Sequence, residues 1–401
     1  MQPEDYKALS SLRVALVHDW LFHMRGGEKC LKDFCNLFPN SEVFALFYDK
    51  SAKLDPVITN RPIHSSILNK LSSVKNYYKK LLLFFPIGMQ SLSKQLELSH
   101  HKNPFDLVIS ISHCSSKNIV APKGVKHLCY CLTPARYLWG QFGRYVRNPL
   151  IQFLASPLLI GLRALDRRSK VDHWFGISRF IAGRIFTAYG KEAEVIYPAV
   201  ELIADGIPLR RSEFFLVVNE LVPYKNTDKI VEAFNNLGLP LVIVGKGPDE
   251  NQLKSIAKDN IQFKSNLSRL ELEALYRQAK AFVFAAEEDF GMTPVEAQSA
   301  GLPVIALGRG GVLETVIESP IGAKSGLFFR ELTAASIGSA VNEFIKSSTE
   351  YSAQACKKSA NRFNKIAFDL AIFKALTKLG ILKDKTALDP RRSGQTMASS
   401  V

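Results

Sequence analysis

Cysteine is scarce in this sequence, and long apolar runs are absent from it. Cysteine accounts for 6 of the 401 residues, with neither Cys-x2-Cys pairs nor the downstream histidine pair of a zinc ribbon. We therefore expect neither a disulfide framework nor a structural zinc site. The apolar segments 81–89 and 153–162 fall well short of the roughly 20 residues that cross a bilayer, so we expect no membrane-spanning helix.

The N-terminal segment MQPEDYKALSSL lacks the apolar core of a secretory signal. This predicts a protein of the reducing cytoplasm. Acidic residues are in deficit, because 52 Lys and Arg stand against 37 Asp and Glu, for a net charge of +15. Such a balance favours an anionic partner, which could be nucleic acid, a phosphorylated small molecule or an anionic membrane. Charge alone does not choose among these.

Short apolar runs alternate with longer helical patterns along most of the chain, which is typical of parallel sheets covered on both faces. The first series of predicted strands is 14–17, 43–46, 107–111, 127–131, 173–176 and 195–197. The second series is 215–218, 241–244, 261–263, 281–284 and 304–306. Two series predict an α/β fold of two doubly wound Rossmann-like domains that face each other across a cleft.

The predicted domain boundary lies in the proline- and glycine-containing stretch 198–212. We expect an N-terminal domain over 1–200 and a C-terminal domain, with the terminal helices, over 201–383. Residues 384–401 are expected to be a disordered tail. Ligands of open α/β sheets bind at the carboxyl ends of the strands, so the loops after the strands are the places to search for chemistry.

The most informative stretch is FVFAAEEDFGMTPVEAQSAGLPVIA, residues 282–306. A strand ends near Ala285, and Thr293 with Pro294 has the character of a helix start. Free backbone amides at that start suit a sugar or phosphate oxygen. Glu288 and Glu296 are eight residues apart, and two carboxylates at one helix N-terminus suit the hydroxyls of a nucleotide sugar. Glu296 alone could equally complement the helix dipole.

This stretch resembles the Glu-x7-Glu signature of the retaining GT-B glycosyltransferases of family four. The similarity extends from Arg13 to about Leu376 and includes RVALVHDWLFHMRGGEKCL, DLVISISHCSSKNIV, CYCLTPARYLWG and VIYPAVEL. Within the family the chain most resembles bacterial O-antigen type mannosyltransferases. The resemblance implies a GT-B fold and transfer of a hexose, with mannose from GDP-mannose as the expected donor and a lipid-linked polysaccharide as the expected acceptor.

The resemblance also implies roles for individual residues. The expected catalytic residues are His113 beside the donor sugar, Glu288 on the transferred sugar or its phosphate, and Lys225 on the departing diphosphate, where an ammonium cancels charge. The expected substrate-binding residues are Gly26, Gly27, Phe290, Gly291, Met292, Thr293 and Glu296, of which Glu296 would hold the ribose. Without the family context, His113 could be a structural histidine, Lys225 a surface lysine and Gly26-Gly27 a plain turn.

Several positions depart from the family pattern. Glu220 stands where these enzymes usually carry an arginine that pairs with the lysine on the diphosphate, which would remove a charge-assisted bond worth about 1.5–3 kcal/mol. Leu132 replaces a histidine, Ile177 replaces an asparagine, and Ser265 stands where the related sequences often have a glycine. The alternative function is therefore a catalytically weakened scaffold that binds a glycan or a partner enzyme. A nicotinamide oxidoreductase is disfavoured, because the loop HDWLFHMRGGE lacks Gly-x-Gly-x-x-Gly.

No Asp-x-Asp pair occurs in the sequence, so we expect no required metal and no other cofactor. Residues 117–170 contain ten basic residues and one acid, Asp166, and both this stretch and KNYYKKLLLFFPIGMQSL mix cations with apolar residues. That composition suits an anionic membrane surface, although a solvated basic face over an ordinary core helix would look the same. No nucleic-acid motif is present. We expect a cytoplasmic protein that can lie on the inner face of the cell membrane and binds no nucleic acid.

Overall fold

The structure of this chain is a computed structural model that describes residues 1–139, 149–204, 211–318 and 324–382. The described residues form two parallel sheets of seven and six strands. The strands of the first sheet are β1 Val14–Leu21, β2 Glu42–Tyr48, β3 Ile63–Ser65, β4 Leu107–Ser112, β5 Lys126–Cys131, β6 His173–Gly176 and β7 Glu194–Val195. Those of the second are β8 Phe215–Val218, β9 Leu241–Val244, β10 Ile261–Lys264, β11 Phe282–Phe284, β12 Val304–Leu307 and β13 Gly326–Phe329.

Both sheets have the doubly wound strand order that the alternating pattern predicts, so the predicted fold class is confirmed. The orders are β3-β2-β1-β4-β5-β6-β7 and β10-β9-β8-β11-β12-β13. The first sheet is flanked by α1 Pro3–Ser11, α2 Gly26–Leu37, α3 Pro56–Thr59, α4 Phe85–Lys102, α5 Arg136–Trp139, α6 Pro149–Asp166 and α7 Arg179–Tyr189. We call this sheet and these helices the N-terminal lobe.

The second sheet carries its own helices, and together they form what we call the C-terminal lobe. These helices are α8 Thr227–Leu237, α9 Glu250–Ile256, α10 Arg269–Gln278, α11 Met292–Ser299, α12 Val312–Thr315, α13 Ala334–Lys346 and α14 Ala353–Asn361. Short 3-10 helices occupy Ile67–Lys70, Val74–Asn76, Tyr78–Phe84, Ser116–Asn118, Pro223–Lys225 and Ser348–Glu350.

All eleven predicted strands are present; three have the predicted ends, and the ends of the other eight shift by one to four residues. The prediction omitted β3 and β13. Strand β3 is a three-residue edge strand of mixed polarity, Ile-His-Ser, and its side chains are only partly buried. A run this short has too little apolar alternation to signal a strand. Strand β7 covers only Glu194–Val195, so the predicted run to residue 197 was too long.

The last helix of the described chain, α15 Lys365–Lys378, packs on the N-terminal lobe although it follows the C-terminal lobe in sequence. The ring of Phe368 meets Phe34 and Tyr130 edge-on, at centroid distances of 5.3 and 6.0 Å. The core of the N-terminal lobe therefore includes residues from beyond the second sheet. The predicted limits 1–200 and 201–383 stay a prediction, and the predicted tail 384–401 lies outside the described residues.

Candidate functional site in the cleft between the lobes

A cleft of about 1000 Å³ separates the two lobes. It is bordered by residues that follow β1, β4, β5 and β6 of the first sheet and β8, β9 and β11 of the second. The carboxyl ends of the strands of both sheets thus face one cavity, which is where open α/β sheets bind ligands.

All ten residues that the sequence analysis proposed for the site border this cleft. They are Gly26, Gly27, His113, Lys225, Glu288, Phe290, Gly291, Met292, Thr293 and Glu296. The first three belong to the N-terminal lobe and the other seven to the C-terminal lobe. The structure brings them together, while their individual roles stay predictions.

Helix α11 begins at Met292, two residues earlier than the start at Pro294 that the sequence indicated. Gly291 precedes it with φ of +87°, a left-handed conformation that only glycine adopts without strain. Thr293 is therefore inside the helix and does not cap it. The backbone amides of Met292 and Thr293 have no partner within the helix, as in any first turn, and both residues border the cleft. Glu296 lies a full turn into the helix.

A glycine pair holds the backbone of the loop that carries Glu288. The Gly311 amide donates to the Glu288 carbonyl at 2.8 Å. A Cβ atom on Gly310 would lie 2.5 Å from that same carbonyl oxygen, and one on Gly311 would lie 2.4 Å from the Cα of Phe290. The structure shows that these glycines allow two loops of the C-terminal lobe to pack backbone against backbone.

Lys225 ends the short 3-10 helix after β8 and points to the Glu-x7-Glu stretch. Its Nζ donates to a carboxylate oxygen of Glu288. Burial, followed by the nearby charge of Arg136, lowers the pKa of Lys225 to about 8, against the opposing effects of Glu220 and Asp289. The ammonium is therefore predominantly charged at pH 7, and it is held by one carboxylate that an incoming phosphate could replace.

His113 directly follows β4 and rests on the buried carboxylate of Asp19. Its backbone N–H donates to Asp19 Oδ2 at 2.8 Å, and its Nδ1 lies 3.3 Å from the same oxygen. The ring of Trp20 meets the imidazole edge-on, at a centroid distance of 4.3 Å. Burial lowers the pKa of His113 and outweighs the effect of Asp19, so the imidazole is neutral at pH 7. Sequence reasoning missed Asp19, because nothing local marks a residue that acts 94 positions away.

The N-terminus of α2 approaches the Glu-x7-Glu stretch from the opposite lobe. A Cβ atom on Gly26 would lie 3.7 Å from the sulfur of Met292. In the same region Lys29 Nζ lies 3.9 Å from a carboxylate oxygen of Glu296, and the hydroxyl of Tyr276 donates to Glu296 at 3.3 Å. Burial raises the pKa of Glu296, against the opposing charge of Lys29. A ligand that contacts both α2 and Glu296 would bridge the lobes.

At the border of the cleft, Asp289 of the C-terminal lobe forms hydrogen bonds and ion pairs with the N-terminal lobe. Its carboxylate accepts from Arg136 at 2.5 Å and from Arg184 at 2.8 Å. Its backbone carbonyl accepts from the hydroxyl of Ser178 at 2.6 Å. These contacts, which we call the clasp, adjoin Glu288 in sequence. Sequence reasoning did not find them, because each joins residues more than 100 positions apart.

Glu314 makes a second connection between the lobes. Its carboxylate accepts the backbone amides of Arg179 and Phe180, at 2.9 and 3.0 Å, and so caps the N-terminus of α7. The hydroxyl of Tyr197 donates to the same carboxylate at 3.0 Å. A carboxylate at a helix N-terminus is favourably placed for both hydrogen bonding and the helix dipole.

Of the residues that depart from the family pattern, Glu220, Leu132 and Ile177 border the cleft, whereas Ser265 does not line it. Glu220 accepts from the guanidinium of Arg25 in the other lobe, at 3.2 Å. Leu132 and Ile177 are buried beside the cleft. A Cβ atom on Gly27 would lie 3.2 Å from Leu132, so Leu132 packs directly under the start of α2.

The basic stretch 117–170 is not a continuous cationic surface. Lys117 is buried and forms an ion pair with Asp166, and Arg136 is engaged in the clasp. Arg144 and Arg147 lie outside the described residues. Within this stretch, residues 158–170 do combine exposed basic residues with the exposed side chains of Leu158, Ile160 and Leu165. A second exposed combination of lysines and apolar side chains lies at 67–87, where Ile67, Leu83, Phe84 and Ile87 are each about half exposed (52%, 49%, 48% and 54%).

Two kinds of feature are absent from the part of the chain that the structure describes. Three or more His, Cys, Asp or Glu side chains do not come together there in a way that could hold a metal ion. Within the same ranges, none of the helices combines the length and apolar character that a bilayer span requires.

Two doubly wound parallel lobes, with a cleft between the carboxyl ends of their strands, define the GT-B class of glycosyltransferase folds. Residues 205–365 match the family model described as "Glycosyl transferases group 1". This stretch of the chain is similar to that family. The resemblance that the sequence motifs indicated is confirmed.

The chain is similar to two curated bacterial mannosyltransferases. The GDP-mannose-dependent alpha-(1-6)-phosphatidylinositol monomannoside mannosyltransferase of Mycobacterium tuberculosis is 28% identical over 178 residues, covering 36% of this chain and 46% of the relative. The O-antigen chain mannosyltransferase RfbU of Salmonella typhimurium is 27% identical over 149 residues, covering 34% and 42%. The chain thus spans less than half the length of these relatives.

Among solved structures, the chain is similar to Anabaena Alr3699/HepE in complex with UDP and glucose. The TM-score is 0.63 at 14% identity, over 92% of this chain and 100% of that one. At this identity the likeness concerns the fold, and it extends over both lobes.

Proposed function

We propose that this chain is a retaining, metal-independent mannosyltransferase that moves mannose from GDP-mannose onto a lipid-linked polysaccharide. The observation that carries the proposal is the convergence of ten predicted site residues, from both lobes, on one cleft. The mycobacterial relative is named as GDP-mannose-dependent, and both curated relatives are named as mannosyltransferases, which favours this donor.

The proposed donor lies across the cleft. Lys225 and the amides of Gly26 and Gly27 bind the diphosphate, because a helix N-terminus and an ammonium both favour an anion. Glu296 accepts the hydroxyls of the ribose, which a carboxylate can do in a bidentate manner. The free amides at the start of α11 contact a sugar or phosphate oxygen, and Phe290 and Gly291 shape the loop that presents them.

In the proposed reaction the bond between the anomeric carbon and the diphosphate oxygen breaks. The acceptor hydroxyl forms the new bond on the same face of the sugar, and its proton passes to a donor phosphate oxygen. Lys225 stabilises the charge that develops on the leaving diphosphate. Glu288 contacts the transferred sugar or its phosphate, and neutral His113 orients the sugar by hydrogen bonding. No protein nucleophile is required.

The proposed acceptor side faces an anionic membrane. Lys70, Lys79 and Lys80 lie in segment 67–87 together with the half-exposed apolar side chains, and Tyr78 and Lys79 of this segment also border the cleft. Apolar groups that insert at the headgroups and lysines worth about 1 kcal/mol each near anionic lipid would place the cleft at the membrane surface. A lipid-linked glycan would be within reach there.

The transfer proposal is tested by incubating the purified chain with labelled GDP-mannose, UDP-glucose or UDP-N-acetylglucosamine and a bacterial lipid extract. We expect label from GDP-mannose alone to become lipid-soluble without added metal, and Lys225→Ala to abolish transfer. Glu296→Ala should raise the donor KM. Lys254→Ala, an exposed lysine of the same lobe, is the matched control and should behave as wild type. Label transferred from a UDP-sugar alone would refute the proposed donor.

A second candidate is a weakened relative that binds a glycan or partner enzyme without turnover, and Glu220 and Leu132 in the cleft favour it. Calorimetric titration with GDP, UDP and ADP separates the two. Binding of GDP without metal supports the enzyme, whereas binding of none of the three supports the weakened scaffold.

Membrane docking is tested by flotation with vesicles of phosphatidylcholine and phosphatidylglycerol. We expect the wild type to float with the anionic vesicles and to detach at high salt. Phe84→Ser with Ile87→Ser should abolish flotation. The control Leu270→Ser alters a side chain of the C-terminal lobe that is 78% exposed and should have no effect. Equal flotation of all variants would refute docking through segment 67–87.

A further inference from the structure

The loop after β8 carries an acidic residue at the place where the proposed function requires a cation. Glu220 lies two residues after the end of β8 and borders the cleft, five residues before Lys225. A carboxylate beside a diphosphate repels it. The carboxylate of Glu220 is, however, already occupied, because it accepts from the Arg25 guanidinium of the opposite lobe at 3.2 Å.

Arg25 is placed to meet the same anion from the other side. It immediately precedes α2, so its side chain starts beside the free amides of Gly26 and Gly27 and reaches over the cleft to Glu220. Both side chains of the pair are substantially exposed, at 64% for Arg25 and 43% for Glu220. Exposed ion pairs stabilise a fold very little, so the lobes do not depend on this pair for their stability, and Arg25 is free to exchange Glu220 for another anion.

A second observation indicates that a polar ligand binds at this place. Asn219 is buried at the edge of the cleft, and neither its Oδ1 nor its Nδ2 has a hydrogen-bond partner among the described residues. Buried carboxamides are normally hydrogen-bonded. Lys246 also borders the cleft, and its loop packs on that of Asn219, since the Leu221 amide donates to the Lys246 carbonyl at 2.8 Å.

We propose that Arg25 is a diphosphate-binding residue of the donor site and that Glu220 is its positioning residue. The cation that the C-terminal lobe lacks at position 220 is thereby supplied by the N-terminal lobe. Arg25 is well suited to this role, because a guanidinium can donate to a carboxylate with one edge and to phosphate oxygens with another. The inference rests on the proposed function, since it concerns how the same donor is held.

The test is calorimetric titration of the full chain with GDP and GMP. Arg25→Ala should weaken GDP binding at least tenfold and GMP binding less than threefold, because Arg25 acts on the diphosphate and not on the nucleoside. Arg168→Ala, an exposed arginine of the same lobe outside the cleft, is the matched control. Glu220→Arg added to Arg25→Ala should restore GDP affinity to within about threefold of wild type, which a merely structural role for Arg25 would not allow.

The positioning role of Glu220 is tested by the direction in which Glu220→Ala changes GDP affinity, first in the wild type and then in the Arg25→Ala variant. Glu220→Ala should weaken GDP binding in the wild type, since Arg25 is no longer held over the site. It should strengthen GDP binding in Arg25→Ala, where only the repulsion is removed. Thermal unfolding monitored by circular dichroism verifies that each variant is folded.

The possible outcomes distinguish the inference from the proposed function. An Arg25→Ala variant whose affinity for GDP stays within twofold of wild type overturns the role of Arg25. If Glu220→Ala changes GDP affinity in the same direction in the wild type and in Arg25→Ala, the positioning role of Glu220 is overturned. If the wild type binds UDP in place of GDP, the donor assignment fails, and the same variants titrated with UDP and UMP decide the inference. Binding of none of GDP, UDP and ADP overturns both.

Discussion

Replacing Asp19 with asparagine should loosen the loop that carries His113. The Asp19 carboxylate is fully buried and accepts the backbone amides of His113, Cys114, Ser115 and Ser116, at 2.8, 2.9, 2.5 and 2.8 Å. Four consecutive amides thus converge on two oxygens. Asparagine keeps the shape of the side chain but replaces one of these oxygens with an NH2 group.

The magnitude follows from the donors that lose their acceptor. Each carboxylate oxygen receives two of the four amides, so Asp19→Asn leaves two buried N–H groups facing another donor. A buried unsatisfied donor costs about 1–3 kcal/mol, which gives a loss of about 2–6 kcal/mol. Domains are stable by about 5–15 kcal/mol, so over most of this range the lobe still folds while the loop moves.

Urea unfolding followed by tryptophan fluorescence measures this loss of stability in the lobe that contains Asp19. All three tryptophans, Trp20, Trp139 and Trp174, belong to that N-terminal lobe. We expect a lower urea midpoint for Asp19→Asn and a lower kcat/KM for the proposed transfer. Asp228→Asn, an exposed position in α8, is the control. A wild-type midpoint together with wild-type kcat/KM would refute the reasoning.

The stability that Asp19 contributes should fall as the pH is lowered. Burial alone would raise the pKa of Asp19, but His113, His18 and the backbone amides outweigh it and hold the pKa below its ordinary value. The stabilisation from Asp19 is therefore complete above the unfolded pKa of about 3.9 and is lost as the pH falls through the lower pKa of the folded state. The Asp19→Asn variant should lack this part of the acid transition.

Three further predictions concern the C-terminal lobe and the clasp. The kcat/KM for the donor should fall as the pH rises through about 8, where the Lys225 ammonium loses its proton, and Lys225→Arg should show no such decline up to pH 10, because arginine stays charged. Gly311→Ala should lower kcat/KM at least tenfold by displacing the Glu288 loop, whereas Gly183→Ala, whose Cβ would meet nothing within 4 Å, should be neutral; equal rates would contradict the packing argument. Arg184→Ala removes one contact of the clasp and should increase the radius of gyration in small-angle X-ray scattering, and an unchanged radius would show that the remaining contacts suffice.

The sheets could be predicted because their signal is local. The run 241–244 is apolar throughout and the run 107–111 is apolar except for Ser110, as is typical of strands buried on both faces, and both are strands in the structure. Site residues could be located because they lie in the loops and helix starts that follow strands, and because their motifs resemble those of a known family. The short edge strand β3 carries too few apolar residues to be recognised in this way.

The features that escaped prediction depend on contacts between distant parts of the chain. From the sequence, Lys117 is predicted to belong to a basic surface, yet it is buried and forms an ion pair with Asp166, 49 positions away. The Asp166 carboxylate also accepts a hydrogen bond from Trp139 at 2.8 Å. The amphipathic pattern of α15 indicates that it is a helix but not which lobe it covers. Such contacts depend on which distant segments become neighbours in the folded chain, and composition and residue spacing do not predict this.

The position of the clasp has a consequence for catalysis. Asp289 binds the N-terminal lobe, while its neighbour Glu288 is bonded to Lys225 and fixed from behind by Gly311. A change in the angle between the lobes must therefore move Glu288 relative to His113, which belongs to the other lobe. Because the nucleoside end of the proposed donor contacts mainly the C-terminal lobe, loosening the clasp should reduce kcat more than it weakens the binding of GDP. A clasp variant that lost GDP affinity at unchanged kcat would place the coupling between the lobes elsewhere in the molecule.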